Sequence, residues 1–124
     1  MSVPENPDVF TIERRGGVTI FVASPELERI DFALFDEAGD ILFEPLRNDP
    51  SPLVLIDLSQ VDYFGSMFVA ILLKCFKLVE SRGGMMALCG VSPRASELLR
   101  VTALATVWPI YATRREALEA MLSE

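Results

Sequence analysis

Residues 52–82 read PLVLIDLSQVDYFGSMFVAILLKCFKLVESR, and this stretch decides the fold. Leu53 to Leu58 is an almost unbroken apolar run of β-forming residues, bounded by Pro52 and by Ser59-Gln60. Such a run suits a parallel strand covered on both faces. A short polar turn follows, and then a long segment whose length and polar stripe predict a helix with Ser66 in its first turn. A serine where a strand ends and a helix begins sits where ligands, phosphates and partners are usually met.

With Ser66 as zero on a wheel advancing about 100° per residue, Ala70, Leu73, Lys74, Lys77 and Ser81 share its side. Phe68, Leu72, Cys75 and Val79 fall opposite and form the expected core face. The outward stripe is uneven. Its C-terminal half is polar, as a solvated face should be, whereas its N-terminal half carries Ala70 and Leu73 with Met67 and Val69 alongside. An apolar patch beside an exposed serine is what a protein-docking surface needs. The bland alternative is that a neighbouring loop covers Met67 and Leu73. Gly65, Ser66, Met67, Ala70, Leu73 and Lys74 are the candidate docking residues.

Ser66 itself has two readings. A serine near a helix start is ordinarily an N-cap. Phosphorylation would instead add about −1.5 to −2 charges at the positive end of the helix dipole. The fold would tolerate that charge, but an apolar partner pressed against it would not. The readings coexist, because an unmodified cap can become a switch.

Outward from this stretch, residues 1–8 read as a loose tail and residues 9–124 as one domain. Val9 to Arg15 and Val18 to Ala23 flank Gly16-Gly17, a hairpin signal. Ser24 to Arg29 is a polar connection. Residues 30–44 fit a helix, with Ile30, Leu34, Ala38 and Ile41 on one face. A second hairpin around Ala38-Gly39-Asp40 is the alternative. The helix is preferred, since a parallel strand must next be reached by a crossover. Beyond Arg82, Gly83-Gly84 predicts a helix C-cap and Met85 to Cys89 a buried strand. Ser92-Pro93 opens another helix in the favoured order of cap and first turn. Val107 to Tyr111 reads as a last strand, at a sheet edge because of Pro109. Thr113 and Glu116 form a capping box on a final helix. The order β-β-α-β-α-β-α-β-α predicts an α/β sandwich with a mostly parallel sheet of four to five strands, an antiparallel N-terminal strand and about four helices.

Composition narrows function. The 124 residues suffice for one domain with a real core. A net charge of −7 argues against nucleic acid and anionic membranes as partners. No apolar run reaches the length of about 20 residues that a membrane span needs. The N-terminus has no signal-peptide pattern, so a cytoplasmic location is expected. The chain has no histidine, the commonest general base and zinc ligand. Neither a GxSxG elbow nor a GxxxxGK[ST] loop occurs, and no metal or cofactor is implied. Cys75 and Cys89 are expected to be packed thiols.

Two motifs together carry a family likeness. DLSQVDYFGSMFVAILLKCFKLVESRGG resembles the pattern DLSxVxFxDSSGLxxLL followed by a helix ending in RGG. LLRVTALATVWPIYATRREAL resembles a later run of LL, TGL, FPIY and an EAL helix. On these the chain resembles a STAS domain, the module of anti-sigma factor antagonists and of sulfate transporter tails. The resemblance implies a bacterial regulatory module that binds an anti-sigma factor or serine-protein kinase, with the phosphorylated serine at Ser66 and a supporting acid at Asp57. Three departures stand out. Gly65 replaces an aspartate, Met67 a second small residue, and Phe68 a glycine, adding bulk where a partner would approach. Self-association within a larger signalling assembly, without a phospho-switch, is the alternative to hetero-docking. An enzyme is the weakest reading.

Overall fold

The structure, a computed structural model, describes residues 10–29 and 39–122. The expected tail and residues 30–38 lie outside the described residues. Five strands form one sheet in the order β1-β2-β3-β4-β5. They are β1 (Phe10–Arg15), β2 (Val18–Ala23), β3 (Leu53–Asp57), β4 (Met85–Cys89) and β5 (Ile110–Tyr111). β1 pairs antiparallel with β2, and every other pair is parallel. The antiparallel start and mostly parallel remainder are as expected from the element order.

Helices occupy the crossovers. Residues 39–43 are helical (α1) and run into a 3-10 turn at Glu44–Leu46; α2 is Ser66–Ser81, α3 Pro93–Val101 and α4 Arg114–Leu122. The helical backbone at 39–43 agrees with the helix reading and excludes a strand there. Gly39 and Leu42 are buried, as is Leu46 one turn on, while Ile41 is only half-buried. Over residues 39–43 the buried face is therefore rotated by about one residue from the expected one.

The strands' alternation sorts the core into two layers. Phe21, Val54, Ile56, Met86 and Leu88 pack with α1, α2 and α3 on one face. Val18, Ile20, Leu55, Ala87 and Cys89 pack with Ala117 and Met121 of α4 on the other. All six residues of β2 are buried, because helices cover both sides of it. The wheel of α2 holds: Phe68, Leu72, Cys75 and Val79 are buried, and Ile71 joins them.

Two local features fix the sheet ends. α2 closes with Gly83 N–H on the Glu80 carbonyl (3.0 Å) and Gly84 N–H on the Val79 carbonyl (2.9 Å), with Gly83 at φ 69°. That is the paired-bond ending in which glycine takes the left-handed position. At the other end, Gly90 has φ 70°, and a Cβ there would lie 2.8–2.9 Å from Ser59 atoms. The last strand is shorter than expected, two residues at the sheet edge, since Pro109 has no N–H to donate. Trp108, just before it, is buried.

Candidate functional site

The junction between β3 and α2 is held from both sides. Val61 and Phe64 are buried, and Phe64 meets Phe68 edge-on at 5.0 Å between ring centroids. Phe68 continues the contact to Phe10 (6.1 Å), and Phe10 to Phe21 (6.0 Å). The Asp62 N–H donates to Glu28 Oε2 (2.9 Å). Its carboxylate meets Arg94 (3.0 Å), whose guanidinium lies 4.9 Å from the centre of the Tyr63 ring. The Ser92 hydroxyl donates to the Asp62 carbonyl. The Arg94–Asp62 pair is exposed and worth at most about 1 kcal/mol. Burial of the two phenylalanines does most of the anchoring, at about 1.5–3 kcal/mol each.

Ser66 stands exposed as the first residue of α2. The cap position belongs to Gly65, in an extended conformation with φ −106°, and no side chain bonds the helix start. This corrects the capping reading. Ser66 lies one residue too far along the chain to accept a bond from the turn, so its hydroxyl has no hydrogen-bond partner among the described residues. Gly65 has an ordinary φ and open space where a Cβ would stand, so neither conformation nor packing demands glycine there.

Around Ser66 the structure brings together most of the expected docking residues. Gly65, Ser66 and Lys74 are exposed, and Met67, Ala70 and Leu73 are half-buried. Leu73 rests partly on the core, so only part of its side chain reaches the surface. Phe68 is corrected: it is 1% exposed, and its bulk fills the core. It therefore does not stand in a partner's way.

Beside Ser66 lies a cleft of about 250 Å³, which Gly65, Met67 and Phe68 line together with Leu27, Glu28 and Tyr63. The last three went unnoticed in the sequence. Leu27 and Glu28 come from the 3-10 turn Pro25–Arg29, nearly 40 positions before Ser66. Glu28 supplies a carboxylate to a cleft whose own helix has no acid in its first turn. The only sequence signal was the acidic run SPELER, which reads equally well as a polar connection.

Asp57 takes a different part from the one implied for it. It shares the α4 side of the sheet with Leu55, since alternate residues of a strand face alike, whereas α2 lies on the opposite side. Oδ1 accepts from Ser59 N–H (3.0 Å), and Oδ2 accepts from Arg114 (3.0 Å). Arg114 also reaches Glu13 (2.8 Å), so one guanidinium ties β1, β3 and α4. Burial alone would push the Asp57 carboxyl up, but the Ser59 and Arg114 bonds hold it below the usual carboxylate value. Its acceptors are spent on the scaffold, and the structure does not bring it to the Ser66 hydroxyl.

Both thiols are buried, and each is pushed up to about 12, by burial for Cys75 and by burial and the Asp57 charge for Cys89. Neither is a thiolate near neutral pH. Among the described residues, no group of three or more acids and thiols is placed to hold a metal ion. No described helix is long and apolar enough to cross a membrane.

Comparison with known proteins meets this geometry. An anti-sigma F factor antagonist of Paenibacillus polymyxa is 28% identical over 107 residues, covering 86% of this chain and 89% of that one. An anti-sigma-factor antagonist (STAS) domain protein from Planctomyces limnophilus superposes with a TM-score of 0.83 at 32% identity, over 92% of this chain and 98% of the other. The anti-sigma factor antagonist SpoIIAA in its unphosphorylated form shares the fold, with a TM-score of 0.72 at 17% identity over 90% and 94% of the two chains. The STAS domain profile matches residues 1–117. On the sheet order, the β3–α2 junction and these matches, the chain belongs to the STAS domain family.

Proposed function

We propose that this protein acts as an anti-sigma factor antagonist, docking an anti-sigma factor through the start of α2. One observation carries the reading. Ser66 is exposed and without a capping bond at the carboxyl end of a parallel strand, with Met67, Ala70 and Leu73 half-exposed along the same helix. In open parallel sheets that edge is where partners and ligands bind. Apolar side chains around a polar centre match the make-up of protein interfaces. The names of the relatives support the class of partner.

The partner is read as an anti-sigma factor with serine-kinase activity, and Ser66 as the hydroxyl it phosphorylates. A phosphate there would meet the unpaired N–H groups of the first turn of α2, so the protein would keep its fold. The same charge against the Met67 and Leu73 patch would break an apolar contact. That the structural neighbour SpoIIAA is known in an unphosphorylated form supports reading this surface as one that can take a phosphate. Glu28 supplies a carboxylate to the cleft where Gly65 has lost one.

The role is regulatory and needs no catalytic group on this chain. Incubation with a partner kinase and ATP, followed by intact mass, tests the switch. One added phosphate that Ser66→Ala abolishes is expected. No gain, or a gain that survives Ser66→Ala, removes the switch from this position and leaves constitutive docking.

A further inference from the structure

Two depressions flank residues 40–47. The first, about 400 Å³, lies between this segment and the C-terminal half of α2, where Phe43 and Leu78 stand with Arg47, Lys74, Lys77 and Arg82. It collects both lysines of a chain whose net charge is −7, and among the described residues no acid lines it. The second, about 470 Å³, is formed by Ile12, Asp40, Ile41, Glu44, Pro45 and the shared Arg47. Among the described residues lining it, Arg47 and Glu44 pair at 2.9 Å and offset each other, so Asp40 gives this face its acidic balance. Ile12, on the edge strand β1, is 43% exposed there.

We propose that these are complementary halves of one interface, and that a second copy of this chain is the occupant. The acidic, isoleucine-bearing face of one copy seats in the basic depression of the other. Because both faces border the same segment, a two-fold arrangement makes the contact twice, as an isologous interface does. Opposite charge and apolar surface are thus supplied within a single sequence. The overall charge does not prevent this, since at physiological salt charges beyond about 8 Å are largely screened and local pairs decide. Arg82 donates to the carbonyls of Leu46 and Asp49 (3.0 Å for the latter), which ties segment 40–47 to the end of α2 and holds the depression open. Lys77 has no hydrogen-bond or ion-pair partner among the described residues. It stands eleven residues beyond Ser66, about 16 Å along the helix, so the inference does not rest on the reading of the serine.

Sedimentation velocity on the full chain, across a concentration series at physiological salt, tests it. A concentration-dependent dimer is expected, and Lys77→Glu or Asp40→Lys alone should weaken it about tenfold or more through like-charge contact. An equimolar mixture of the two variants should dimerise again, because each reversed face then meets an opposite one. Lys77→Gln and Asp40→Asn, which only remove charge, replace a reversal that fails to fold and should each weaken the dimer. A wild type that stays monomeric up to about 1 mM overturns the proposal. So does a dimer indifferent to both reversals, or a mixture that stays monomeric.

Discussion

Asp57 and Ser66 stand nine positions apart in one strand–helix junction, and the structure treats them in opposite ways. Asp57 is buried, and its two carboxylate oxygens are occupied by Ser59 and Arg114. Ser66 is exposed, and its hydroxyl is bonded to nothing described. The first residue is consumed by the fold; the second is left over by it. Polar residues in a family motif thus divide into those that build the platform and those the platform presents. A single turn of chain is enough to place them on opposite sides of a sheet.

That contrast is open to test by breaking each side separately. The largest effect belongs to the platform. Gly90→Ala puts a Cβ against Ser59 and forces a left-handed backbone, so unfolding by denaturant should show a loss of about 3 kcal/mol. Arg114→Ala comes next, at about 2 kcal/mol, because it strips a charged hydrogen bond from a buried carboxylate. Partner capture by the folded fraction of that variant should be unchanged.

The same residue sets a pH dependence. The folded Asp57 carboxyl lies below its unfolded value, so its contribution is complete above about pH 4 and is lost as pH falls through the lower folded value. Acid titration of stability should therefore be shallower in Arg114→Ala than in wild type.

On the presenting side the effects on stability are small. Gly65→Asp places a carboxylate at the true cap position, in open space and at the positive helix end. A gain of up to about 1 kcal/mol is expected in thermal unfolding. Ser66→Ala should change stability by less than about 0.5 kcal/mol. A capping serine would instead cost about 1 kcal/mol, and that result would restore the capping role.

Much of this architecture is legible in the residues themselves. The apolar run at 53–58, the wheel of α2 and the Ser92-Pro93 start are each set by local pattern, and each stands where pattern puts it. The candidate site is legible only along its own helix. Local spacing brings Met67, Ala70 and Leu73 near Ser66. It cannot reveal that Glu28 and Tyr63 complete the cleft, because Glu28 arrives through a tertiary contact to Asp62. Nor can it decide the roles of Asp57 and Phe68. Which side of the sheet a residue at a strand end faces depends on where the chain turns, and Arg114 comes 57 positions later. The cap differs from the expected one for a related reason: serine is the better capping residue, but the backbone begins its helix one position earlier, so the cap falls on Gly65.

The measurement that bears most directly on the presented surface is the affinity of the proposed anti-sigma partner for Met67→Asp, beside Arg114→Ala and wild type. Met67 is half-exposed next to Ser66, so the substitution should leave the fold intact. A loss of binding of about 30-fold or more is expected, about 2 kcal/mol, as for a residue near an interface centre. Arg114→Ala should bind as wild type does. Wild-type affinity in Met67→Asp would contradict the account and place the docking surface elsewhere on the molecule.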